Sequence, residues 1–126
     1  MKISVVNVKA DMTIFQHGGI YIGRGNQWKG LAPSPLANRF VIGIDGTREV
    51  VIEKYEAWLK EKIRSGDRNV LDELARLSSI ALKGELVLAC WCAPLPCHGD
   101  VIKKTIEEVL SDEEAIQVVL AERDPQ

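Results

Sequence analysis

Cys90, Cys92, Cys97 and His98 fall within nine residues, in the run Cys-Trp-Cys-Ala-Pro-Leu-Pro-Cys-His-Gly-Asp. Thiolates and imidazole are the donors that zinc prefers. The spacing argues against zinc. C-x-C-x4-C-H lacks the paired C-x2-C of zinc ribbons, Cys97 and His98 are adjacent and diverge, and Cys90 ends an apolar run where a free cysteine packs as a small hydrophobe. The expectation is that these four do not jointly bind zinc, and no metal or cofactor is implied. The same residues offer nucleophilic chemistry. Cys97 directly precedes a helix N-terminus and sits beside His98, and both features lower a thiol pKa. With Asp100 in the first helical turn, Cys97, His98 and Asp100 are the candidate catalytic residues. The plain alternative is that His98 and Asp100 cap the helix while the cysteines pack.

A second group of residues suits an anion. In Gly23-Arg24-Gly25-Asn26 the glycines let backbone approach a ligand and give Arg24 a flexible base. Arginine there suits a phosphate or carboxylate. Asn38 either holds its own loop or reads the edge of a base or sugar. Arg48 opens a helix, where the macrodipole disfavours a cation. It therefore wants a partner, either an acid such as Asp45 or a bound anion. Trp91 is the best-placed ring for stacking on a planar group. Asn7 ends the first strand, where a polar side chain can face a pocket. Cys92, His98 and Gly99 complete the candidate ligand wall.

These residues depend on the elements that carry them. Leu86–Ala89 is a short apolar run, as in a strand covered on both faces. It should be an interior strand with neighbours on either side. After it, Val101, Ile102, Thr105, Ile106, Val109 and Leu110 recur at helical spacing, with a start near Gly99 or Asp100. Upstream, Ile3–Val8 reads as a strand, residues 9–19 as a loop closing on Gly18-Gly19, and Ile20–Ile22 as a second short strand. Gly23–Gly46 is a long irregular excursion with strand character only in Phe40–Ile44. Trp28, Leu31, Leu36 and Phe40 give it apolar anchors, so it reads as an ordered loop that wraps a site. Thr47 caps a helix whose buried face is Val51, Tyr55, Trp58, Leu59 and Ile63, ending at Ser65-Gly66. Asp67 caps another, buried through Val70, Leu71, Leu74 and Leu77, and Gly84 turns the chain into the central strand. Ser111 with Glu114 forms a capping-box pattern, and the last segment reads as helix rather than edge strand.

Four stretches in this order, YIGRG, SPLANRF, DGTREVVIEKYEAWL and LACWCAPLPCHGDVI, resemble the phage and bacterial family catalogued as domain of unknown function 4326. That family is marked by Y-I-G-R, G-N-P-F, a T-R-E helix and a C-W-C-x-P-x-C-H-G-D loop. The resemblance covers most of the chain up to about Leu110. Arg39 stands where the family usually carries proline. The strand–Cys–Cys-His–helix pattern is more distantly similar to the family numbered 488. The resemblance implies an α/β fold with a shared pocket and supplies no reaction.

The 126 residues, 46% apolar and 27% charged, suit one soluble domain spanning 1–126. No apolar run approaches the roughly 20 residues that cross a bilayer. The start lacks a signal-peptide pattern, and three clustered cysteines are unlike a secreted disulfide framework. The expected location is the cytoplasm. Residues 1–48 hold six basic and two acidic residues, a local excess of +4 that leaves −6 for the rest of a chain whose net charge is −2. A compact anion fits this better than a nucleic-acid duplex, which needs a strongly basic face. The expectation is therefore a single α/β domain with a small, mainly parallel sheet flanked by helices. Its pocket lies at the C-terminal edge of the central strand. The pocket is expected to bind a small anionic nucleotide-like ligand, such as a sequestered nucleotide signal. The alternative is an enzyme acting at a glycosidic or phosphoester bond of a nucleotide. No membrane partner is implied, and a homo-oligomer is compatible with the sequence.

Overall fold

A computed structural model describes residues 2–8, 12–93, 95–112, 114, 116 and 117. The side chains of Met12 and Trp28 lie outside that description, so the expected Trp28 anchor does too. Three parallel strands form one sheet in the order β1-β3-β2: β1 is Lys2–Asn7, β2 is Ile20–Tyr21 and β3 is Glu85–Cys90. The interior placement of β3 follows from its apolar run. Leu86, Leu88 and Cys90 alternate into the main core, and each is at most 1% exposed. Val87, on the opposite face, is only partly buried, so that face is less completely covered than the sequence suggests. Ladder bonding continues past the strand ends, with Val8 N donating to Cys90 O (2.8 Å) and Ile22 N to Ala89 O (3.0 Å).

Parallel strands require crossovers, and two helices lie in the one between β2 and β3. Helix α1 spans Arg48–Ser65 and α2 spans Arg68–Leu82. Both N-caps are local devices read correctly from sequence. Thr47 Oγ1 accepts from Val50 N, and Asp67 Oδ1 accepts from Val70 N. Gly66 closes α1 in the left-handed conformation (φ +79°) that its lack of a Cβ permits. Val51, Tyr55 and Leu59 are the fully buried residues of α1, while Trp58 and Ile63 pack against the core at its edge. On α2 the buried face is broader than the leucine stripe and includes Ser78, Ser79 and Ala81. Helix α3, His98–Leu110, follows β3 and buries Val101, Ile102 and Ile106.

Three expectations about irregular segments are corrected. Residues 12–17 of the first loop form a 3-10 helix, closed by Gly19 N donating to Ile14 O (2.8 Å). Residues 9–11 lie outside the described residues. Phe40–Ile44 makes no strand. Its donors are consumed locally: Val41 N donates to Asp45 Oδ2 (2.7 Å), and Ile44 N and Asp45 N both donate to Val41 O. Ser111 does not cap the final segment. Its hydroxyl donates back to Glu108 O (2.7 Å), and Asp112 Oδ1 accepts from Glu114 N (2.9 Å). Residues 114, 116 and 117 are helical; residues 118–126 lie outside the described residues. Among the described residues no helix is long and apolar enough to cross a membrane.

Candidate functional site

The C-terminal ends of β2 and β3 open into a cavity of about 250 Å³, partly open to solvent. Its walls come from four parts of the chain. The β2 end contributes Gly23 and Arg24, and the long excursion contributes Asn38, Phe40, Val41 and Ile42. Helix α1 contributes Arg48, Val51 and Ile52, and the β3–α3 loop contributes Cys90, Trp91, Cys92, Pro96, Cys97 and His98. This is the position where open parallel sheets leave a crevice, because the loops there diverge.

Arg24 and Arg48 therefore face one cavity, as do Asn38, Trp91, Cys92, Cys97 and His98. Among the described residues that line the cavity there is no carboxylate. The Arg48 guanidinium donates through Nη1 to Pro96 O (2.9 Å), which ties the start of α1 to the loop before α3. That carbonyl, not Asp45, is its partner; Asp45 is taken up by Val41 N, and its backbone oxygen accepts from Lys54 Nζ (2.6 Å). Arg24 is exposed, with no ion-pair partner among the described residues. Asn38 Oδ1 accepts from Phe40 N (2.9 Å), so it shapes its own loop while lining the cavity.

Four expected ligand residues stand elsewhere. Asn7 donates through Nδ2 to Ala93 O (2.8 Å) and Trp91 O (3.2 Å), so it holds the β3–α3 loop from beneath. Gly25 and Asn26 line a different, shallower depression with Gln27, Leu31 and Pro33, and Asn26 Oδ1 caps a short 3-10 turn at Lys29 N. Gly99 is a packing residue: a Cβ there would lie 2.9 Å from Val5 Cγ1 and 3.0 Å from Ile22 Cδ1. Sequence reasoning read a ligand approach where the first turn of α3 in fact presses onto the sheet.

The catalytic candidates are rearranged too. Cys97 is the N-cap of α3, with its Sγ accepting from Gly99 N (3.3 Å). Asp100 is exposed and accepts from Cys97 N through Oδ2 (2.9 Å), the return half of a capping box. His98 does not face the Cys97 thiol. Its Nε2 lies 2.7 Å from Ile22 O, and its ring meets the edge of Tyr55 at 5.1 Å. A carbonyl only accepts, so Nε2 carries the proton. Burial is the main force lowering the His98 pKa, with the nearby Arg24 charge acting the same way, so the imidazole is neutral. The Cys97–His98 dyad is thus replaced by a pair of thiols, with Cys97 Sγ 3.4 Å from Cys90 Sγ. Within this pair Cys90 is the more acidic. Its thiol is lowered to about 6, first by the hydrogen bond with Cys97 and then by the backbone N–H groups of Cys92 and Ala93. The same bond, burial and the Cys90 charge push Cys97 upward. The bond to Cys90 thus opposes the lowering at Cys97 that the sequence suggests.

Tyr21 and Tyr55 are the positioning residues that sequence reading missed. The Tyr21 hydroxyl donates to Arg24 O (2.6 Å) and accepts from Trp91 Nε1 (2.8 Å), so it sets the Arg24 turn against Trp91. The Tyr21 ring lies over Gly23, leaving no room for a Cβ there. The Tyr55 hydroxyl donates to Leu36 O (2.6 Å) in the core and pins the excursion to α1. A buried tyrosine needs a hydroxyl partner. That requirement was readable from sequence, but the partner's identity was not. Among the described residues no three His, Cys, Asp or Glu side chains are grouped to hold a metal ion.

Comparison with known proteins places this geometry in a family. A stretch of 68 residues is 32% identical to the "Uncharacterized 12.4 kDa protein in nrdA-td intergenic region" of Enterobacteria phage T4, covering 54% of this chain and 56% of the phage protein. The match thus spans little more than half the length of that relative. No solved structure matches the chain. The model of the family described as Domain of unknown function (DUF4326) matches residues 6–108, which include all the described residues that line the cavity, and the chain belongs to that family.

Proposed function

We propose that the chain binds a small anionic, nucleotide-like ligand in the cavity at the ends of β2 and β3. The observation that carries this reading is the cationic wall: Arg24 and Arg48 line one cavity with no carboxylate among the described residues that line it. Guanidinium groups in such a setting favour phosphate or carboxylate. The adjoining N-terminus of α3 adds the positive end of a helix dipole. Trp91, Phe40 and Ile42 supply apolar surface beside the charges, which suits a ligand with a planar, uncharged part.

Binding without turnover is the favoured form of this reading. His98 is taken up by Ile22 O, and Asp100 serves the helix cap, so neither is free to move a substrate proton. A protein of this kind sequesters its ligand. Three free cysteines suit a reducing compartment such as the cytoplasm. The direct test is calorimetric titration with nucleoside mono- and diphosphates and with inorganic phosphate, beside mass spectrometry of small molecules retained on purification. Arg24→Met should weaken binding about 10- to 150-fold, the equivalent of a lost charged hydrogen bond of ~1.5–3 kcal/mol. Retained ligand without an anionic group, or unchanged affinity in Arg24→Met, would contradict the proposal.

A further inference from the structure

We infer that Cys90 and Cys97 form a redox-active dithiol, which a hydroperoxide closes to an intramolecular disulfide. The inference goes beyond ligand binding and does not rest on it.

Three observations carry it. The two sulfurs already lie 3.4 Å apart, in mutual hydrogen-bond contact, with both cysteines in the free state. A disulfide requires a sulfur–sulfur separation of about 2.05 Å, so closure needs a movement of roughly 1.4 Å. Side-chain rotation can supply part of that movement. Secondly, both thiols line the cavity, which is partly open, so an oxidant little larger than water reaches sulfurs otherwise buried in the core. Thirdly, the two sulfurs are unequal. Cys90 ends a strand held by ladder bonds on both sides, whereas Cys97 is a helix cap whose Sγ has one backbone donor, Gly99 N at 3.3 Å. Cys90 is thus the fixed sulfur, and Cys97 the one that moves to meet it.

The chemistry balances with hydrogen peroxide as oxidant. The Cys90 thiolate attacks one peroxide oxygen, the O–O bond breaks, and hydroxide leaves to take up the proton Cys90 had lost. Cys90 is then a sulfenic acid. The Cys97 sulfur attacks the Cys90 sulfur, the S–O bond breaks, and hydroxide departs with the Cys97 proton as water. Two thiols and one peroxide give one disulfide and two waters, and the two electrons pass from sulfur to peroxide. A dithiol reductant reverses the process. Cys92 lines the same cavity and is half-buried, so it is the competing partner against which the assignment is tested.

All three cysteines lie between Lys83 and Lys103 on one tryptic peptide, so pairing is read by fragmentation of that peptide. The reduced, full-length protein is treated with stoichiometric hydrogen peroxide under native conditions. The expected product is a chain that has lost two hydrogens, cross-linked between residues 90 and 97 and restored by dithiothreitol. Cys92→Ser should close at the wild-type rate. Cys97→Ser should stop at a sulfenic acid on Cys90, trapped by dimedone. Cys90→Ser should slow consumption of peroxide at least tenfold. If a buried serine prevents folding, the fragmentation map of the wild-type chain still decides the matter. A disulfide involving Cys92, oxidation of Cys90 straight to sulfinic acid with Cys97 present, or no reaction at all would overturn the inference.

Discussion

Tyr55→Phe isolates one bond that ties the long excursion to the helical layer. Tyr55 is fully buried, and its hydroxyl donates to Leu36 O at 2.6 Å, a carbonyl on an equally buried residue. Burial pushes the phenol pKa well above its ordinary value, so the group is a neutral donor at any working pH. Removing only the hydroxyl leaves the ring, so the contacts with Trp58 (5.5 Å) and His98 (5.1 Å) persist. What is lost is the hydrogen bond, and what remains is a buried carbonyl without its donor. The cost of such a loss is ~1–3 kcal/mol. At an unfolding entropy of ~2.1 cal/mol/K per residue, that lowers the Tm of a 126-residue domain by ~4–11 °C. Thermal unfolding followed by circular dichroism measures the shift. Amide exchange adds the location: protection of Phe40 N and Val41 N, bonded to Asn38 and Asp45, should fall more than that of β3. A Tm within ~2 °C of wild type, or uniform loss of protection across the chain, would refute the view that this bond pins the excursion.

Other outcomes follow from the same geometry. Arg48→Met should weaken anion binding and also cost ~1 kcal/mol of stability, because it loses the bond to Pro96 O, whereas Arg24→Met should leave urea stability within ~0.5 kcal/mol of wild type. Equal stability losses for the two variants would contradict that assignment. Gly99→Ala should destabilise by ~1–3 kcal/mol despite alanine's better helix propensity, since its Cβ would press on Val5, Ile22 and Cys97. A stabilised variant in urea unfolding would show that this contact yields easily. The Cys90 thiol also links stability to pH. Its folded pKa of about 6 lies below the ordinary 9.0. Its contribution is therefore absent below about 6, builds as the pH rises from there, and is complete above the unfolded value. Cys97, shifted upward, opposes any further gain above that value. Urea midpoints of wild type minus Cys90→Ser should accordingly rise between pH 6 and 9. A flat difference would mean that Cys90 is not the ionised thiol.

The features legible in the linear chain are local. Thr47 and Asp67 cap their helices, and Gly66 ends α1, through bonds spanning a few residues that any chain with that order of residue types would form. The interior position of β3 follows from an unbroken apolar run that only a covered strand tolerates. The two arginines, Asn38 and the Cys-His loop were recognisable by type as candidates, and they line one cavity at the end of β3, where the fold class places a crevice. Tertiary structure decided which of these residues meet and which partner each one takes. Asn7 and Gly99 hold and pack the loop they were expected to serve as ligand wall, because strand β1 runs directly beneath it. Tyr21 reaches Trp91 across 70 residues, and Arg48 reaches Pro96 across 48. His98 turns to Ile22, and Cys97 is left to Cys90. Side-chain direction at a loop depends on which donors and acceptors the neighbouring strands leave unpaired. Those neighbours are set by the β1-β3-β2 order, which brings together residues that no spacing in the linear chain connects.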